Sequence, residues 1–224
     1  MKVELVMNNI HNQIDAVKRT GIGISFILFP LIFIFAFGGH PNLFNPSFLG
    51  PAELIQRAHN NFMLHFGHAL VTLCTGLLVV VALHFNNILK NTSNEWWGFI
   101  GGVIAILGVL ILAVDKGALC LTMSAIDTIH EGEFINMTPG LLAMFEKKGW
   151  LILINGLMLL PLGFIIQTIG LLKSNSLAKW QSILFLIGVL FIGTPDGVEI
   201  INLTAAILMA IALIPYGVNL IRNK

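Results

Sequence analysis

The chain reads as an all-α polytopic membrane protein, a bundle of six transmembrane helices in a single domain spanning residues 1–224. Three observations carry that expectation. Composition is the first: 56% of residues are hydrophobic and only 10% are charged, against about 25% in a soluble domain. Mean hydropathy is +0.88. The second is a set of long apolar runs of bilayer length. The third is a polar stripe along one of those runs, which has no place facing lipid. Net charge is +1, so no global field points to nucleic acid, and no nucleic-acid partner is expected. The lipid bilayer is the expected environment.

Met1 to Thr20 is polar and mixed in charge, and no small-residue cleavage site follows Phe37, so the first helix reads as uncleaved. It spans 21–38 and contains Pro30, tolerated in a membrane helix where neighbours satisfy the freed carbonyl. A loop rich in Pro and Gly follows, with His40. The second span is 62–85, the apolar part of the stretch 51–90. After a polar turn, Trp96 and Trp97 read as interfacial anchors for the third span, 96–114.

Asp115 and Lys116 then interrupt the apolar run. Either the helix leaves the membrane there and lies along the surface, or the charges are intramembrane and paired, with Arg57 as partner for Asp115 or Glu53 for Lys116. Thr138 before Pro139 reads as an N-cap with Pro at the first helical position. That helix is expected to run through Glu146, Lys147, Lys148 and Trp150 into a fourth span, 150–172. The fifth span is 180–193. Thr194 to Gly197 form a junction into the sixth, 199–221.

Six spans put both termini on one side. Eight basic residues then lie on the terminal side (Lys2, Lys18, Arg19, Lys90, Lys173, Lys179, Arg222 and Lys224), and four lie opposite (Arg57, Lys116, Lys147 and Lys148). The positive-inside rule makes the terminal side cytoplasmic, in a cell membrane such as a bacterial inner membrane. Most acids sort the other way, and so do His40, His59, His65, His68 and His130.

The stripe lies on the second span and its approach. At about 100° per residue, Arg57, Asn61, His65, His68, Thr72 and Thr75 fall within an arc of roughly 80°. His65 and His68, three residues apart, can reach one point, and imidazole suits a transition metal ion such as zinc. Asp115, Glu131, Asp196 and Glu199 fall at the same membrane face and could complete a shell. The first expectation is a metal site of His65 and His68 open to the extracytoplasmic side. Asp115 and Glu199 would be its catalytic carboxylates, and Arg57, Asn61, Thr72, Thr75 and Asp196 would line the approach. It would act on a lipid or other hydrophobic substrate by metal-assisted hydrolysis or a redox step.

Two alternatives stand beside it. One is a small transporter or channel for protons, ions or a solute, whose pathway should continue to the other face. The other is a non-catalytic subunit whose stripe packs against a second copy or a membrane partner. Asp196 and Glu199 also have a structural reading, as acids in the first turn of a helix capped by Thr194. Bis-histidine haem is not expected, because spans three to six contain no histidine; Met158 remains as an alternative axial ligand. Cys74 and Cys120 read as buried free thiols. No G-x-S-x-G, H-E-x-x-H, phosphate-loop or C-x-x-C motif occurs.

The charge asymmetry generates a direct test. A reporter fused after Lys224 should behave as cytoplasmic, and one inserted near Met137 as exported. The reverse pattern would invert the assignment of every polar residue to a membrane face.

Overall fold

A computed structural model describes residues 2–40, 43–44, 50–150, 157–192 and 198–222, with side chains from residue 13 onward. These residues form eight α-helices: α1 (Lys2–Gly38), α2 (Pro51–Ala58), α3 (Phe62–Leu89), α4 (Glu95–Ile126), α5 (Glu131–Phe145), α6 (Leu159–Ser174), α7 (Lys179–Ile192) and α8 (Glu199–Arg222). Four stretches are long and apolar enough to cross a membrane: Gln13–Gly38 within α1, α3, α4 and α8. The apolar helices α6 and α7 have 16 and 14 residues. Of the six expected spans, the described residues thus show four as helices long and apolar enough to cross a membrane and two as shorter apolar helices. Parts of the expected fourth and fifth spans, 151–156 and 193, lie outside the described residues, as does Asp196.

The six apolar helices close into a ring: α1 packs on α3, α3 on α4, α4 on α6, α6 on α7, α7 on α8, and α8 returns to α1. In lipid, helices gain little from apolar burial alone, so close backbone approach supplies much of the attraction. Glycine permits it at α4 and α6. A Cβ on Gly108 would lie 2.1 Å from the Leu160 nitrogen, and one on Gly163 would lie 2.2 Å from the Ala105 nitrogen. Gly23 of α1 and Gly217 of α8 meet in the same way, each placing its carbonyl 2.7 Å from where the other's Cβ would be. Phenylalanines fill the centre. Phe85, Phe164 and Phe185 form an edge-to-face trio with ring centroids 5.6–6.3 Å apart.

Buried amides add polar ties. Gln167 of α6 is fully buried, and its Nε2 donates to the Ala82 carbonyl of α3 (2.9 Å) and the Gly98 carbonyl of α4 (3.1 Å). Gln181 of α7 donates to the Ala212 carbonyl of α8 at 2.9 Å.

Two expectations for the middle of the chain are corrected. First, α4 does not end at Asp115. It has 32 residues, about 48 Å, so a helix entering the bilayer at Glu95 reaches Asp115 after about 30 Å and projects beyond it. The projecting turns hold a second apolar cluster, in which Met123 and Ile126 pack with Ile55 and Ala58 of α2 and Phe134 and Leu141 of α5. Second, Thr138 caps nothing. α5 already begins at Glu131, after an extended His130 and with two acids in its first turn, and it carries Pro139 internally. The Thr138 hydroxyl donates back to the Phe134 carbonyl. The helix does not continue into a span through Trp150. Lys147 (φ +53°) and Gly149 (φ +65°) both adopt the left-handed conformation and break it.

The α4–α6 contact allows a paired test. Gly163→Ala should destabilise the protein in detergent by about 1–3 kcal/mol, since the added methyl meets backbone rather than a movable side chain. Gly76→Ala, where a Cβ meets nothing within 4 Å, should stay within about 0.5 kcal/mol of the parent. Equal effects would deny that this contact is backbone-limited.

Candidate functional site

At the end of the ring where α1 and α7 finish and α6 and α8 begin lies a cavity of about 520 Å³, within the usual size range of small-molecule sites. Its walls are apolar: Phe33, Ala36 and Phe37 of α1, Val71 of α3, Leu112 of α4, Leu160 and Pro161 of α6, and Ile192 of α7. Its polar groups are His40, just past α1, His68 of α3, Lys116 of α4, Glu199 and Asn202 of α8, and Glu146 and Lys147 at the end of α5. Phe29, Leu78, Phe164, Phe185, Val189 and Met209 line a further, much smaller space of about 20 Å³ that shares Phe33, Leu160, Pro161 and Ile192 with the cavity and has no polar lining.

Glu199 is buried, 3% exposed, as the first residue of α8. The positive end of that helix favours its carboxylate. His40 Nδ1 lies 3.2 Å from Glu199 Oε1, and the Asn202 amide donates toward Oε2 at 3.5 Å. The His68 ring stands 5.6 Å, centroid to centroid, from that of His40. A carboxylate and two imidazoles thus share one corner of an apolar chamber.

Asp115 is also buried, 2% exposed. Its partners are neither Arg57 nor any other group of α2. Lys147 Nζ lies 3.4 Å from Oδ1, and Lys116 Nζ lies 3.4 Å from Oδ2. Both are loose ion pairs rather than tight charge-assisted hydrogen bonds, and Oδ2 makes no hydrogen bond. The pair to Lys147 crosses from α4 to the break after α5.

The histidine pair of the stripe separates. His68 faces the cavity, whereas His65 Nε2 reaches 2.7 Å to Asp127 Oδ2, just past the end of α4. Three residues apart on a helix, the two side chains share a face, but different neighbours claim them. The remaining stripe residues also serve the helix itself. Asn61 caps α3, accepting from the Leu64 N–H and donating to the Arg57 carbonyl. The Thr72 hydroxyl donates to the His68 carbonyl, and that of Thr75 to the Thr72 carbonyl. Arg57 sits half-buried in the last turn of α2. None of these lines the cavity. Among the described residues, no group of three or more His, Cys, Asp and Glu side chains is arranged to hold a metal ion.

A second polar cluster surrounds Asp127. His59 Nδ1 lies 2.8 Å from Oδ1, opposite His65 on Oδ2, so one carboxylate joins two imidazoles. The His59 ring stacks on Phe134 of α5, 3.7 Å between centroids and 10° between planes. Burial pushes the Asp127 carboxyl upward. The Asn60 backbone N–H, His65 and His59 outweigh it and hold the group below the usual aspartate range.

Sequence reasoning missed His40 and Asn202 as cavity residues, Lys147 as a partner of Asp115, and the centre built on Asp127. The only available signal was coarse: these histidines and acids fall at one membrane face in the six-span reading. The chain matches no known family, no curated protein and no solved structure, so its geometry alone bears on function.

The Asp127 centre predicts an acid dependence. Its carboxyl is held below its unfolded value, so its contribution to stability is present above the ordinary aspartate range, about pH 4, and is lost as pH falls through the lower folded value. Asp127→Ala should lower stability at neutral pH by about 1.5–3 kcal/mol, the worth of a hydrogen bond to a charged group, and should flatten that acid limb. Unfolding curves of both proteins between about pH 3 and 7 check this.

Proposed function

We propose that the protein takes an amphiphile from the bilayer into the cavity, and that His68 and the His40–Glu199 pair bind its polar end and exchange a proton with it. One observation carries the reading: a chamber of about 520 Å³ with apolar walls and ionisable groups gathered at one corner, set among helices of membrane-spanning length. Such a shape matches a molecule with an apolar chain and a polar head. Phe33, Phe37, Leu112 and Leu160 would receive the chain. A carboxylate beside two imidazoles supplies the kinds of group used in general acid–base work.

The phenylalanines around the smaller adjoining space support a one-ended pocket rather than a continuous pathway. Asp115 keeps a place in this reading as the anchor of Lys116 and Lys147 at the mouth. A metal shared by His65 and His68 does not, because their rings face different groups. The charge asymmetry of the sequence supports a mouth on the extracytoplasmic side and both termini in the cytoplasm.

Lipid and amphiphile retained through purification in mild detergent tests the reading. Wild-type protein should hold a stoichiometric amphiphile detectable by native mass spectrometry. Leu112→Trp, which fills the chamber, should displace it. Glu199→Gln and His68→Leu should each weaken its retention roughly tenfold or more, the loss of one charge-assisted hydrogen bond. Thr72→Val should leave it unchanged. An identical bound-lipid profile in all five proteins would reject the chamber as a binding site.

A further inference from the structure

The Asp127 cluster makes contradictory demands on one nitrogen. His59 Nε2 lies 3.0 Å from the Asn60 side-chain nitrogen and 3.2 Å from Glu131 Oε2. The Asn60 amide NH₂ is a donor, so Nε2 must then accept, which requires a neutral ring. The Glu131 carboxylate is an acceptor, so Nε2 must then donate. Nδ1 cannot resolve the conflict. It is committed to donating to Asp127 Oδ1 at 2.8 Å, and the other oxygen of that carboxylate is taken by His65. With Nδ1 protonated in either case, the two partners of Nε2 correspond to the neutral imidazole and the imidazolium. One proton therefore selects between them.

The partners belong to different elements. Asn60 lies in the corner between α2 and α3, held in the left-handed conformation at φ +55°. Glu131 is the first residue of α5. The charged ring would bond Asp127 at the end of α4 and Glu131 at the start of α5 together, while lying flat on Phe134 one turn further along α5. The neutral ring would bond Asp127 and its own corner, leaving Glu131 without this contact. The titratable groups that face His59 are then Asp127 from the end of α4, His65 of α3 through that carboxylate, and Glu131 of α5. Both of the direct neighbours are acids.

We infer that His59 is a proton-operated clasp, fastening the start of α5 to the α2–α3 corner when the ring is charged and releasing it when the ring is neutral. It stands on this geometry and does not require the cavity to bind an amphiphile. The consequence still reaches the cavity, since the far end of α5 supplies its lip at Phe145–Lys147.

The test is amide hydrogen exchange on the full chain in detergent without added ligand, at about pH 5.5 and about pH 8, on either side of imidazole titration. After correction for intrinsic rates, amides of residues 131–145 should be about fivefold or more better protected at the lower pH in wild-type protein. Glu131→Gln, at a side chain 69% exposed and so tolerant of change, should abolish the difference. His59→Gln should abolish it as well, and His130→Gln should keep it. Histidine-selective ¹⁵N spectra give a second readout: the His59 signals should move from the Nδ1–H tautomer to the imidazolium across the same range. Equal protection at both pH values in the wild type, or a pH effect that survives Glu131→Gln, would overturn the clasp. Neither result would bear on amphiphile binding.

Discussion

A charge inside a bilayer-length apolar helix has to be answered by another, and the answer to Asp115 organises this end of the molecule. The residue sits about 30 Å along α4, a distance equal to the usual hydrocarbon thickness of a bilayer. Lys116 answers from the same helix and Lys147 from across the chamber mouth. The second pair lies just past the end of α5, at a lysine whose backbone is left-handed. Beside that break lies the cavity lined by α1, α3, α4 and α8.

Two polar centres result, and they divide the work. The chamber gathers His40, His68 and Glu199 from helices that meet only in the folded ring. The Asp127 centre lies outside it, where one carboxylate just past the end of α4 joins His59 at the α2–α3 corner and His65 of α3. Space adjoins both: about 520 Å³ at the first, and about 420 Å³ beside His65 and Asp127 at the second.

Membrane character and the long apolar helices were legible in the sequence, because composition and run length report directly on the solvent a helix prefers. The polar stripe on α3 was legible as a periodicity but not as a purpose. Asn61, Thr72 and Thr75 satisfy backbone groups of their own helix or its approach, a role that periodicity cannot separate from facing a pathway. The parting of His65 from His68 depends on Asp127, which is 62 residues away from His65 in the chain. The start of α5 was hidden because Thr-Pro is a strong local signal for a helix beginning, and here packing of Phe134 and Leu141 against α2 and α4 extends the helix a full two turns before it. Lys147 as the partner of Asp115 rests on a left-handed lysine, which no local preference announces.

The closed ring also sets an order of assembly. Its first helix, α1, lies against its last, α8, through backbone contact at Gly23 and Gly217. A chain made from its N-terminus therefore has α1 in the bilayer with one flank bare until α8 has been synthesised. Lipid tails tolerate that flank, since they are as apolar as the leucines and phenylalanines that will replace them. They offer nothing to the carbonyls of Ala82 and Gly98 that Gln167 later claims, or to that of Ala212, which awaits Gln181. Insertion can thus proceed helix by helix, while the native arrangement, and the chamber with it, comes into being only as α8 slots between α1 and α7.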